Sequence, residues 1–160
     1  MTTTPNSLIL PQTPNAGAFN CVLSTAMTAA KAFDGTEAVG TSMALVHTVG
    51  ADGGQLPPMR IKYTGTNGNA PSGATTASTL RIFFNAGGAA VNTTAANNTY
   101  FADVPLPTVT IGTVQALQDI YYDFRKLMLP AGTRIYAGLV TAIGGTNCAV
   151  VPSMFGGGNL

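Results

Sequence analysis

Met59-Arg60-Ile61-Lys62-Tyr63 is the stretch whose reading decides the fold. Apolar and charged side chains alternate with a period of two, the pattern of an extended strand with one buried and one wet face. Met59, Ile61 and Tyr63 are placed toward a core, Arg60 and Lys62 toward solvent. The same alternation returns downstream. Leu80-Arg81-Ile82-Phe83-Phe84 sets Leu80, Ile82 and Phe84 on one face. Ile120-Tyr121-Tyr122-Asp123-Phe124-Arg125 turns Ile120, Tyr122 and Phe124 inward, and Arg134-Ile135-Tyr136-Ala137-Gly138-Leu139 does so with Ile135 and Leu139.

Weaker strands are expected at residues 18–27, 41–49, 100–105 and 147–151. Turn residues punctuate them. Asp34-Gly35 marks a turn after the first, Gly50-Ala51-Asp52-Gly53-Gly54 is predicted to join two antiparallel strands, and Gly144-Gly145-Thr146-Asn147 reads as another hairpin loop. Residues 65–78, 87–98 and 105–118 read as loops, with a helical turn placed at 113–118. The 19 glycines and 10 prolines interrupt most candidate helices. About eight strands with Gly-rich turns predict an all-β, antiparallel β-sandwich of jelly-roll type.

Length and composition bound the organisation. With 160 residues the chain fits one domain, long enough to bury a core without metal or disulfide staples. Residues 1–17 form an expected N-terminal arm rich in Thr, Pro and Asn; 18–152 form the sandwich domain; 153–160 form a Gly-rich C-terminal tail. Charged residues make up 8% of the chain, against roughly 25% in ordinary soluble domains. Mean hydropathy is positive, yet no apolar run approaches the ~18–20 residues of a membrane-spanning helix. Met1-Thr2-Thr3-Thr4-Pro5 lacks the basic and apolar regions of an export signal, so no membrane partner is expected. Cys21 and Cys148 are accordingly read as free thiols. A net charge of +1 with scattered basic residues excludes the footprint of a nucleic-acid binder. A surface this poor in charge is also poor for solubility, unless partners cover it.

The chemistry of catalysis is sparse. His47 is the single histidine, and a zinc site would need further ligands that occur at no recognisable spacing. Gly40-Thr41-Ser42-Met43-Ala44 falls one residue short of a nucleophile elbow, a motif that needs a strand-to-helix turn this chain does not offer. Asp119 and Asp123 share a strand face and read as solvated residues, Arg125 being a partner within reach. No phosphate-cradling loop is present. Inward-facing rings among Tyr63, Tyr100, Tyr121, Tyr122 and Tyr136 read as core. Tyr121, expected outward beside Asp123 and Arg125, is the candidate anchor for a protein partner. Asn92-Thr93-Thr94 is a glycosylation triplet only in a secreted chain. No catalytic, cofactor-binding or metal-ligating residue is predicted, and no cofactor.

Four segments carry a resemblance. They are Met59-Arg60-Ile61-Lys62-Tyr63-Thr64-Gly65-Thr66-Asn67, Leu80-Arg81-Ile82-Phe83-Phe84-Asn85, Asn97-Asn98-Thr99-Tyr100 and Leu127-Met128-Leu129-Pro130-Ala131-Gly132-Thr133-Arg134-Ile135. Together they resemble a group of small tailed-bacteriophage structural proteins, over residues 34–145. In that group a strand ending in a Lys-x-x-Gly-Thr-like turn precedes an Arg-Ile/Leu-Phe-Ile-like strand, and a Leu-Pro-Ala-Gly-Tyr-like turn leads into a late strand. This chain departs where Thr133 replaces the usual aromatic, and in a longer C-terminal tail.

The resemblance implies a non-enzymatic virion component, a capsid decoration or cement protein made in the host cytoplasm and seated on the capsid surface. Its implied partners are copies of itself, as a homotrimer, and the major capsid protein, with the terminal arms reaching neighbouring sheets. A tail or head-fibre module binding host carbohydrate is the competing reading, lowered by the absence of a collagen-like or heptad stalk. A cupin-type enzyme is a third, and one histidine cannot supply its ligands.

Overall fold

The computed structural model describes residues 22–50, 53–66, 68–86, 98–112 and 119–154. The expected arm 1–17, Cys21, the triplet Asn92-Thr93-Thr94, the helical turn at 113–118 and residues 155–160 of the tail lie outside the described residues. Within them the chain is all-β and antiparallel. A single helical turn, α1 (Lys31–Asp34), precedes eleven strands. Seven run four residues or more: β1 (Met43–Thr48), β3 (Met59–Gly65), β5 (Ser78–Asn85), β6 (Asn98–Leu106), β8 (Asp119–Tyr122), β10 (Arg134–Leu139) and β11 (Cys148–Met154). The other four, β2 (Gly54–Gln55), β4 (Gly73–Ala74), β7 (Thr110–Ile111) and β9 (Met128–Leu129), are two-residue pairs.

The long strands make a four-stranded sheet in the order β1-β10-β5-β6 and a three-stranded sheet in the order β11-β3-β8. The short ones pair as β2-β9 and β4-β7. These orders leave the jelly-roll arrangement unconfirmed. Side chains from both larger sheets meet in one core. Ala44, Val46, Leu80, Ile82, Ile135, Ala137 and Leu139 come from the first, and Met59, Ile61, Tyr63, Val150 and Met154 from the second. The decisive stretch behaves as read: Met59, Ile61 and Tyr63 are fully buried while Arg60 and Lys62 are half-exposed.

The four-stranded sheet is covered on its outer face as well. Met27, Ala32, Met43, Phe83 and Tyr136 form a second buried cluster there, beneath the segment that carries α1. α1 ends at Gly35, whose positive φ of 68° lets its N–H reach the Lys31 carbonyl at 2.8 Å. A side chain at Gly35 would also meet the Phe83 ring at 2.8 Å. Two polar ties hold this cover down, and a third set of bonds braces it internally. The Asn98 side-chain amide donates to the Gly35 carbonyl, and an Arg81 nitrogen donates to the Ala32 carbonyl at 2.7 Å. The Glu37 carboxylate accepts the Thr28 N–H and hydroxyl, both at 2.8 Å, bonds that hold its pKa down at about 2.

Four expectations are corrected here. The strand at 18–27 is, from residue 22 onward, only an isolated bridge between Leu23 and Val150. Its apolar residues serve two surfaces: Leu23 enters the main core, whereas Met27 lies on the outer cluster and its N–H donates to Leu139. No single ladder can satisfy both. Gly50–Gly54 does not form a hairpin, because β1 pairs with β10 while β3 pairs with β11 and β8. The connection carries the chain from one sheet to the other. Gly144–Asn147 likewise passes from β10 to β11 across the sheets, with Gly144, Gly145 and Asn147 all at positive φ. Finally, the strand expected over 120–125 stops at Tyr122, and the chain turns at once.

Candidate functional site

β6 and β8 are the terminal strands of their sheets and lie on the same side of the molecule. Aromatic rings bridge them. Phe101 of β6 stacks on Phe84 with centroids 4.2 Å apart and lies edge-on to Tyr122 of β8 at 6.4 Å. Phe124, just past β8, meets Tyr122 at 5.0 Å and 80° and Phe101 at 5.9 Å and 23°. Such offset and perpendicular pairings suit the ring quadrupoles.

Phe101 owes its position to a break in register. Ile82 faces Ala102 and Phe83 faces Tyr100, so Phe101 is an extra residue on β6, a bulge. Bulges re-aim side chains at sheet edges. Here the bulge sends Phe101 toward the core side and leaves Tyr100 on the outer face, where its ring lies 5.2 Å from the Arg81 guanidinium. Phe33 approaches the same guanidinium at 5.8 Å. Arg81 also makes a two-pronged ion pair with Asp103, at 2.8 and 2.9 Å.

Phe101, Tyr122 and Phe124, with Tyr121, Asp123 and Arg125, line a cleft of about 550 Å³. Its rim is a tight turn. Leu127 N–H donates to the Phe124 carbonyl at 3.1 Å, and the two central residues, Arg125 and Lys126, have φ of 53° and 61°. This is the pattern of a type I′ turn, which ordinarily takes Asn or Gly at those places. Asp123 steadies it: one carboxylate oxygen accepts the Arg125 backbone N–H at 2.8 Å. Arg125 and Lys126 project into solvent.

The residues singled out from sequence distribute as follows. Tyr121 is outward, 65% exposed, and stands in the cleft with Asp123 and Arg125. Tyr63 and Tyr136 are core, and Tyr63 donates its hydroxyl to the Pro107 carbonyl at 2.6 Å. Asp119 pairs with Arg60 at 2.8 Å and Asp123 holds its turn, so the two carboxylates have separate structural duties. His47 lies on β1, where burial pushes its pKa down. Ser42 precedes β1, its carbonyl accepting the Leu139 N–H. Cys148 is a buried free thiol directed at the Ser72 and Thr146 carbonyls. Among the described residues no three of His, Cys, Asp and Glu gather as metal ligands, and no helix is long and apolar enough to cross a membrane. Sequence reading did not single out Phe101 or Phe33. Phe101 depends on a bulge that no local pattern announces, and Phe33, 78% exposed, lies in a segment without alternation.

No known protein family, no curated protein and no solved structure matches the chain.

Proposed function

We propose that the chain is a structural subunit of a bacteriophage particle, a decoration protein that associates as a homotrimer and bridges copies of the major capsid protein. One observation carries this reading. The chain has seven basic and six acidic residues, and three ion pairs, Lys31–Glu37, Arg60–Asp119 and Arg81–Asp103, already engage six of those thirteen. Only seven further charged side chains complete the count in a chain of 160 residues, while Phe33, Val39, Tyr100, Tyr121 and Met128 are exposed. Such a surface favours association over solitary solubility.

Assembly would draw on apolar burial at ~25 cal/mol per Å², less the cost of ordering whatever docks. The phage-like segments quoted above support the choice of partner. Within the trimer, Phe33 and Tyr100 around Arg81 offer a rigid aromatic contact. Capsid attachment would use the segment 1–17, and its removal is expected to weaken attachment while the sandwich stays folded.

The test is to wash purified particles of the encoding phage, identify their proteins by mass spectrometry and locate this chain in a particle map. Stoichiometric chain on the shell, lost when residues 1–17 are deleted, is the expected result. A chain abundant in the lysate yet absent from washed particles overturns the reading.

A further inference from the structure

The cleft between the β6 and β8 edges has a composition that the capsid reading does not use. We propose that it is a saccharide-binding site, built to take a neutral pyranose. The assignment stands apart from the capsid reading, since a shell protein and a fibre module are equally able to carry such a site.

The walls supply the first half of the case. Phe101 and Tyr122 meet at 89°, and Tyr122 and Phe124 at 80°, so the rings form corners rather than one flat stack. Tyr121 stands at the rim, 65% exposed. One face of a pyranose is a set of C–H groups that packs on such rings, while its edge is a ring of hydroxyls. A cleft of about 550 Å³ accommodates one or two sugar units, within the range of small-molecule sites.

Polar groups supply the second half. Asp123 is fixed by the bond from the Arg125 N–H to one of its oxygens. Its other oxygen and the Arg125 guanidinium make no hydrogen bond among the described residues. An acceptor and a forked donor therefore both line the cleft, a combination that sugar hydroxyls satisfy by donating to one and accepting from the other. Their charges cancel. An anionic ligand would face Asp123, and a cationic one would face Arg125.

Competing occupants fit less well. A peptide added as a strand to β6 would meet the bulge at Phe101, the Asp103 carboxylate and Pro105, devices that block edge pairing. An aliphatic side chain would leave Asp123 and Arg125 without partners. A nucleic-acid strand would find Arg125 and Lys126 as the cations of the turn, too few to track a phosphate backbone.

The test uses the full-length protein on an array of neutral hexose oligosaccharides and their uronate- and sialate-bearing counterparts. The best hit is then titrated with wild type and three variants. Tyr121→Ala and Asp123→Asn should each weaken binding by about tenfold, and Tyr121→Phe should stay within about threefold because the ring is kept. All three substitute exposed residues, and an unchanged thermal midpoint confirms folding. No binding to any neutral glycan overturns the proposal, as does a preference for the acidic series or binding indifferent to Tyr121→Ala. So does a Tyr121→Ala variant that instead breaks an oligomer into 16.3 kDa monomers while glycan binding is unaltered, since the cleft is then a contact between copies.

Discussion

Where β1 and β11 end their sheets, the backbone itself joins the two layers. Leu23 exchanges hydrogen bonds with Val150 at 2.9 Å each way, Ser24 N–H reaches Thr41, Ile143 N–H reaches Ser24, and Met27 N–H reaches Leu139. One short segment thereby touches both sheets. On the opposite side, rings bridge β6 and β8 among the described residues, and a cleft lies beside them. Backbone bonding fixes strand ends at the cost of accessibility. Ring contacts leave room for a ligand, and β6 protects itself from unwanted strand pairing with a bulge, a carboxylate and a proline. One side is closed by backbone bonds and the other is left open.

The largest expected effect lies at the bonded side. Leu23 is fully buried in the main core, so Leu23→Ala removes core packing where the sheets are joined. The expected loss is about 2–5 kcal/mol, read as a lower midpoint in urea denaturation. A loss below about 1 kcal/mol would mean that the bridge is peripheral, and the contrast between the sides would fail.

Next comes Gly138 on β10, which lies directly under Met27. A Cβ there would collide with the Met27 sulfur. Because the colliding atoms are the far end of a flexible side chain that can move aside, Gly138→Ala is expected to cost about 1 kcal/mol, at the low end of overpacking. In a Met27→Ala background the same change should cost much less, and the double-mutant cycle reads that difference. Equal costs in both backgrounds would show that the close approach is not what keeps Gly138 small.

Acid acts on the same side. His47 lies on β1, and burial lowers its folded-state pKa below the ordinary 6.5. On acidification the unfolded chain therefore takes up this proton before the folded one does. Stability from the neutral ring is fully present above about pH 6.5 and is lost as pH falls from there through the lowered folded value. Denaturation midpoints across that window should slope downward with acid for wild type and less so for His47→Gln. Parallel slopes would remove His47 from the account.

How much of this was legible depends on how many faces a strand buries. β3 shows its alternation because one face is core and the other is wet. β10 runs Ile135-Tyr136-Ala137-Gly138-Leu139 with every residue buried, since Tyr136 packs under the outer cover while Ile135 and Leu139 enter the main core. Period two correctly identified the strand there and understated its burial. Turn glycines at Gly53, Gly144 and Gly145 marked where the chain bends, but a glycine does not say which sheet comes next. That choice is tertiary, and it is where both hairpin expectations failed. The cleft was half legible. The outward Tyr121 follows from side-chain alternation, whereas Asp123 and Arg125 join it through the turn after β8 and Phe101 through a register shift between β5 and β6.

The smallest effect belongs to the open side and completes the contrast. Tyr121 is 65% exposed on a four-residue edge strand and opposes Arg60 across the ladder. Removing its ring exposes no core and leaves no buried polar group unpaired. Tyr121→Ala should therefore move the urea midpoint by no more than corresponds to about 0.5 kcal/mol, several times less than Leu23→Ala. A much larger loss would show that the exposed ring holds the β6 and β8 edges together, and the open side would then be structural like its opposite. A negligible loss leaves an exposed aromatic whose retention folding does not require, which is the condition for assigning it to a ligand or a partner.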